Sequence, residues 1–303
     1  MWHRRVCTIV SLVSALADTG CSSSAALPKK ALLLNTLGVQ ALAAGDLPGA
    51  EARLSVALEY SPRFVEAWVN LGYVELGRGS FEQARRDFLR ARELNQDIPA
   101  PHHALGVLAE AEGKTLQAES FYRAALKVDP GFAPARANLA RRLFARGQFE
   151  NAREQFERLV AVAPGEARGW AGWVESLLEL GREADAQAAL AHARDRLGDA
   201  PALMLLAGRE KLYAADWEDA EATLAPLTGQ RDRASAAAAW AWIAVARVGR
   251  GDPSGAEQAS RAALAIDRDD PVALYALRAA RAPRPAGGPI TGGRGTLYRP
   301  EPE

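Results

Sequence analysis

Cysteine is nearly absent: Cys7 and Cys21 are the two in 303 residues. Everything after Cys21 can form no intrachain disulfide and must hold its fold by packing alone. Net charge is absent as well. Lys plus Arg and Asp plus Glu number 37 each, which excludes a chain-wide field that would steer the protein to nucleic acid. No apolar run reaches the roughly 20 residues a membrane-spanning helix needs. With four histidines, metal and acid–base chemistry have few candidates. His102 and His103 are adjacent, so on a helix they point about 100° apart and cannot share an ion. His192 stands alone. G-x-S-x-G, Walker, zincin and dinucleotide patterns are missing. The acids lie among arginines at helical spacings, as on solvated faces. The expectation is a protein that is not an enzyme, with no cofactor, no metal and no small-molecule substrate.

What is present begins with a leader. His3, Arg4 and Arg5 form a positive start, and Val6 to Ala17 is an apolar stretch of signal-peptide length. Two cuts compete. Ala15-Leu16-Ala17 is an A-x-A site that would leave Asp18 first. Gly20-Cys21 resembles the end of a bacterial lipobox, followed by Ser22-Ser23-Ser24, a small polar run suited to a tether. Asp18 stands where lipoboxes usually carry an aliphatic residue. A lone cysteine in an otherwise cysteine-free exported chain favours the second cut. Residues 1–20 are therefore expected to be a signal peptide of lipoprotein type, Cys21 the lipidated residue and 21–30 a tether.

From there one period dominates. Leu37-Gly38, Leu71-Gly72 and Leu105-Gly106 are spaced by 34, and the column continues as Leu139-Ala140, Trp173-Val174 and Ala207-Gly208 before ending, shifted by two, at Ile243-Ala244. Gly45, Gly79, Gly113, Gly147, Gly181 and Gly251 mark a mid-repeat turn. A small residue follows in every unit: Ala50, Ala84, Ala118, Ala152, Ala186, Ala220 and Ala256. A second small column holds Ala57, Ala91, Ala125, Ala193 and Ala263, with Leu159 and Leu227 in its gaps. Pro62, Pro130 and Pro164 close units, and Trp68, Trp170 and Trp240 open them, with Leu34, His102, Arg136 and Met204 as weaker members of a bulky column. Each unit reads as two helices, the first ending at a Gly where positive φ costs least. Small residues let the pair cross closely, and Pro stops the second helix. One pair cannot bury its apolar face, so pairs must stack into an all-α solenoid.

These columns resemble the tetratricopeptide repeat over about Ala31 to Asp270, with units starting near 31, 65, 99, 133, 167, 201 and 237. The resemblance implies a right-handed superhelical α-solenoid. Repeat six departs from the pattern at Ala215, Pro226 and Asp232, which predicts a shortened helix and an irregular joint near Pro226 to Ser235. Residues 271–281 are expected to be a capping helix, with Leu274 and Leu277 on one face. Residues 282–303 form a Pro/Gly-rich tail expected to be disordered, with Leu297-Tyr298 as its one partner-binding candidate.

In that family the first helix of each pair lines a groove. Carried over position by position, the lining is Asn35, Val39, Glu66, Val69, Tyr73, His103, Val107, Arg141, Phe144, Glu175, Arg209 and Tyr213. Aromatic and Arg anchors among aliphatics suit a peptide or helix. The family's carboxylate clamp is not reproduced, since Asn70 and Asn138 lack their basic partners. A terminal Cys followed by tandem repeats resembles type IV pilus biogenesis lipoproteins (PilF/PilW-like) and the tight-adherence (TadD-like) kind. The resemblance implies an envelope scaffold on the periplasmic face of the outer membrane, with a protein client such as a pilus or secretin component. The alternative is an unanchored periplasmic or cytoplasmic adaptor serving an enzyme or export complex.

Overall fold

The computed structural model describes residues 27–198 and 200–282. The expected signal peptide, Cys21, and the tail with Leu297-Tyr298 lie outside the described residues. The chain divides into two compact units, Met1–Leu139 and Ala140–Glu303, and the division falls inside one helix.

The first unit holds α1 (Lys29–Ala43), α2 (Leu47–Tyr60), α3 (Val65–Arg78), α4 (Phe81–Leu94), α5 (Pro99–Ala111), α6 (Thr115–Val128) and the start of α7 (Ala133–Ala145). The second holds the rest of α7, α8 (Phe149–Val162), α9 (Ala167–Glu179), α10 (Glu183–Leu197), α11 (Pro201–Tyr213), α12 (Trp217–Leu224), α13 (Arg233–Arg250), α14 (Pro253–Ile266) and α15 (Pro271–Arg281). Within each unit helices pack as consecutive pairs, and first helices also touch one another: α1 on α3 and α3 on α5, then α9 on α11 and α11 on α13. The fold is an all-α repeat solenoid.

Local chemistry explains the pairs. The turn column is left-handed throughout, from Gly79 at φ 78 to Gly251 at φ 80, and in repeat six Ala215 is forced to φ 60. Both alanine columns are fully buried at the helix crossing, from Ala50 and Ala57 to Ala256 and Ala263. The glycine of the Leu-Gly pair has its own reason. A Cβ on Gly72 would stand 2.4 Å from the Phe88 ring, and one on Gly106 would stand 2.5 Å from the Tyr122 ring. The large residue of the second helix lies on the bare backbone of the first.

Four members of the bulky opening column are also donors. Trp68 Nε1 donates to the Pro62 carbonyl at 3.0 Å and Trp170 Nε1 to the Pro164 carbonyl at 2.9 Å. The Arg136 guanidinium donates to the Pro130 carbonyl. His102 Nε2 lies 3.3 Å from the Gln96 carbonyl, and a carbonyl can only accept, so the ring carries its proton there. Bulk runs through the whole column, Leu34 and Met204 included, and an N–H that reaches back six residues is a second property that Trp68, His102, Arg136 and Trp170 share.

Three further expectations are corrected. The tether cannot run to residue 30, because α1 begins at Lys29 behind Pro28. The last pair begins at Arg233 rather than near 237, because Asp232 caps it, its carboxylate accepting from the Ala234 and Ser235 amides. On α15 the buried residues are Ala273 and Ala276, while Leu274 is exposed; close approach to Ala241 and Ala263 favours the small face. At Pro226 the second helix of repeat six stops at Leu224 and passes into a single 3₁₀ turn, Ala225–Leu227, since Pro offers no N–H to continue the ladder.

Candidate functional site

Because first helices touch their counterparts, side chains one period apart meet on their shared face. In the first unit they meet as neutral polar groups. Asn70 Nδ2 on α3 donates to Asn35 Oδ1 on α1 at 2.9 Å. Tyr73 Oη on α3 and His103 Nδ1 on α5 are 3.2 Å apart, and Asn138 Nδ2 on α7 sits 2.9 Å from His103 Nε2. With the Asn138 amide donating to Nε2, a neutral ring carries its proton on Nδ1 and gives it to the Tyr73 oxygen. The imidazole is packed by Tyr122 and Phe132, each ring centroid 5.7 Å away. Tyr122 donates to Glu110 at 2.7 Å. Burial pushes the Tyr73 hydroxyl pKa well above its ordinary value.

Here the expected lining is only partly open. Val69, Tyr73, His103 and Val107 are buried, so they form the floor beneath the face and cannot offer contact area. Their burial follows from the bonds between first helices, which draw the helices together. Asn35, Val39 and Glu66 are half-buried. Asn70 and Asn138 hold neighbouring helices and are not poised to bind a terminal carboxylate.

In the second unit the corresponding contacts are charged. The Arg209 guanidinium on α11 donates to Glu175 on α9 and lies over the Trp242 ring on α13, 4.9 Å from its centroid. Tyr213 donates to Glu179 at 2.6 Å. Burial, then the Glu179 carboxylate, pushes the Tyr213 hydroxyl up to about 12. Arg141 is exposed, and Phe144, Glu175, Arg209 and Tyr213 are half-buried. The Phe144 ring meets Phe149 edge-on at 5.2 Å. This face presents Arg, Glu, Tyr and Trp groups held by one another.

Sequence reasoning overlooked Glu179 and Trp242. Glu179 was legible: it stands four residues after Glu175 and 34 before Tyr213, just as Glu175 stands 34 before Arg209. Opposite partners at the repeat period are a readable signal. Trp242 was hidden by the slipped register of the last pair.

Among the described residues no three His, Cys, Asp or Glu side chains gather as a metal site, and no helix is long and apolar enough to cross a membrane.

Family models described as tetratricopeptide repeat match residues 35–99, 109–172 and 205–271. Superkiller complex protein 3 of Mus musculus is 30% identical over 98 residues, which is 32% of this chain and 6% of that protein. The chain thus matches a small part of such relatives. A tetratricopeptide repeat protein from Parabacteroides merdae superposes with a TM-score of 0.61 at 15% identity, covering 84% of this chain and 99% of that one. Pseudomonas aeruginosa pilF gives 0.56 at 17% identity, with 66% and 90% covered. PilW, a widely conserved type IV pilus biogenesis factor, gives 0.53 at 16% identity, with 82% and 99% covered. At these identities the likeness is one of fold.

Proposed function

The chain belongs to the tetratricopeptide-repeat family, and from that premise we propose that it is a non-enzymatic scaffold of the bacterial envelope. It holds a peptide or helix of a protein client on the first-helix face of its second unit and serves pilus or secretin assembly. Lipid on Cys21 anchors it to the periplasmic face of the outer membrane. The observation that carries the binding reading is the Arg209 cluster, where Glu175 and Trp242 fix a cationic side chain that remains partly open. Aromatic and Arg groups held in place before binding lose little freedom when a client arrives. The pilus reading is supported by likeness to PilW in fold and by the Gly20-Cys21 leader.

Two experiments separate binding from anchoring. A photo-crosslinking residue at Arg141, on a first helix, should capture one client in cells, whereas one at Arg158, exposed on α8, should not. Capture from 158 alone refutes the face assignment. A clickable fatty acid should label the wild type and not Cys21→Ala. Absence of label on the wild type refutes the anchor and leaves the unanchored periplasmic or cytoplasmic adaptor.

A further inference from the structure

The outward side of α1 breaks two folding rules at once. Its buried residues, Ala31, Gly38 and Leu42, face the rest of the first unit. On the opposite side Leu33 is 58% exposed, Leu32 44% and Leu37 38%. In the next pairs the position of Leu33 is filled by Ala67, Pro101 and Ala135, all covered. A terminal repeat whose end merely faced water would carry polar residues there; this one carries larger apolar side chains than its covered counterparts. The second broken rule is electrostatic. Lys29 and Lys30 occupy the first turn of α1, which has no acid and no side-chain cap, although that end of a helix disfavours cations. Folding explains neither feature, and such local conflicts concentrate where a partner binds.

We propose that this side of α1 lies on the surface of an anionic phospholipid bilayer, with the leucines in the headgroup–acyl boundary and Lys29 and Lys30 on the phosphates. Tyr60, exposed at the end of α2, holds Lys30 over its ring at 4.7 Å and adds an amphipathic edge of the kind enriched at such boundaries. From Ser22 to Gly45 the chain contains no Asp or Glu, so nothing on α1 opposes the approach to a negative surface. A second copy stacked face to face would offer this side of α1 no acid for its two lysines; anionic headgroups do. The placement rests on the lipid anchor proposed above. Seven residues separate Cys21 from Lys29, a span of at most roughly 28 Å, so α1 is the helix an acylated Cys21 brings to the bilayer.

The test uses the full chain with Cys7→Ser and Cys21→Ser, and a nitrobenzoxadiazole label at Leu33→Cys or, as comparison, at Leu116→Cys on α6, which is also a leucine and still more exposed. Vesicles of phosphatidylethanolamine and phosphatidylglycerol should enhance and blue-shift emission from 33 and leave 116 unchanged. Lys29→Gln with Lys30→Gln should weaken partitioning roughly 30-fold, about fivefold per lysine. No response at 33, an equal response at 116, or shielding that grows with protein concentration without vesicles overturns the proposal, the last in favour of a second copy. Fatty-acid labelling of Cys21 keeps the two readings apart. Acylated protein with a silent probe at 33 removes the docking face and spares the anchor, and a responsive probe without acylation does the reverse.

Discussion

One column of the 34-residue period reads Tyr73, Val107, Arg141, Glu175, Arg209. In the first unit its members are buried, Tyr73 bonded to His103 and Val107 apolar. In the second unit they are charged and partly open, with Arg209 spanning Glu175 and Trp242. The same backbone position therefore serves two purposes. Neutral groups that satisfy one another fix how adjacent first helices align, because a buried donor or acceptor without its partner is costly. Charged groups at the same place hold alignment less rigidly and leave a polar surface. The difference makes the first face a buried brace and leaves the second an open polar surface, the one the proposed binding uses.

The largest effect should come from His103. Replacing it by Leu takes the imidazole from the buried Tyr73 hydroxyl and one contact from half-buried Asn138, costing about 2–3 kcal/mol. Urea unfolding of the intact chain should show this as a lower midpoint. Glu175→Gln, which keeps a hydrogen-bond acceptor for Arg209 but removes the carboxylate from a guanidinium only 19% exposed, should cost about 1–2 kcal/mol. Equal losses would erase the contrast between the faces.

Gly106→Ala comes next, at about 1–3 kcal/mol. Its new methyl meets the Tyr122 ring, which is fully buried and bonded to Glu110. Gly208→Ala in the second unit meets the Leu224 side chain at 2.4 Å, and an aliphatic end can turn aside where a bonded ring cannot. It should therefore be the milder change by thermal melting.

The first unit also carries a titrating weakness. Asp87 on α4 is buried, with Oδ1 accepting from Gln83 at 3.2 Å and Oδ2 lacking a partner among the described residues. Burial pushes its carboxyl up to about 6, so between roughly pH 4 and 6 the folded chain binds more protons than the unfolded one. Stability from this group is present below pH 4 and lost as pH rises through 6, on the order of 3 kcal/mol. Asp87→Asn should flatten that loss and raise the neutral-pH midpoint. An unchanged pH profile would place Asp87 in contact with water.

How much of this was legible depends on the kind of signal. The turn glycines and the two alanine columns state steric needs that recur every 34 residues, and those needs are visible as residue types. The Leu-Gly pair was visible as a marker but not as a cause, because its reason sits on the other helix at Phe88 or Tyr122. Trp68, His102, Arg136 and Trp170 differ in bulk and agree in having an N–H, a likeness that emerges only once the carbonyl six residues back is in place. The lining residues were found by position, but position does not say whether a face is open. Val69, Tyr73, His103 and Val107 lie under theirs because the bonds between helices are tertiary.

The smallest prediction tests a departure that was readable in advance. At the turn after α11 the column that is Gly elsewhere holds Ala215, and the backbone still turns left-handed there at φ 60. The turn geometry is therefore set by the helix pair and not by the residue, and a Cβ in this conformation costs roughly 1–2 kcal/mol. Ala215→Gly removes that strain but restores backbone freedom to the unfolded chain, worth about 0.4–1 kcal/mol in the opposite sense. The expected balance is a gain of up to about 1 kcal/mol, seen as a higher melting temperature. Gly79→Ala in the first unit, at φ 78 with open space around its Cβ, reverses the experiment and should lose a similar amount. If Ala215→Gly gives nothing while Gly79→Ala is costly, then the second unit relaxes its turn where the first cannot. That would extend the contrast between the units from their side chains to their backbone.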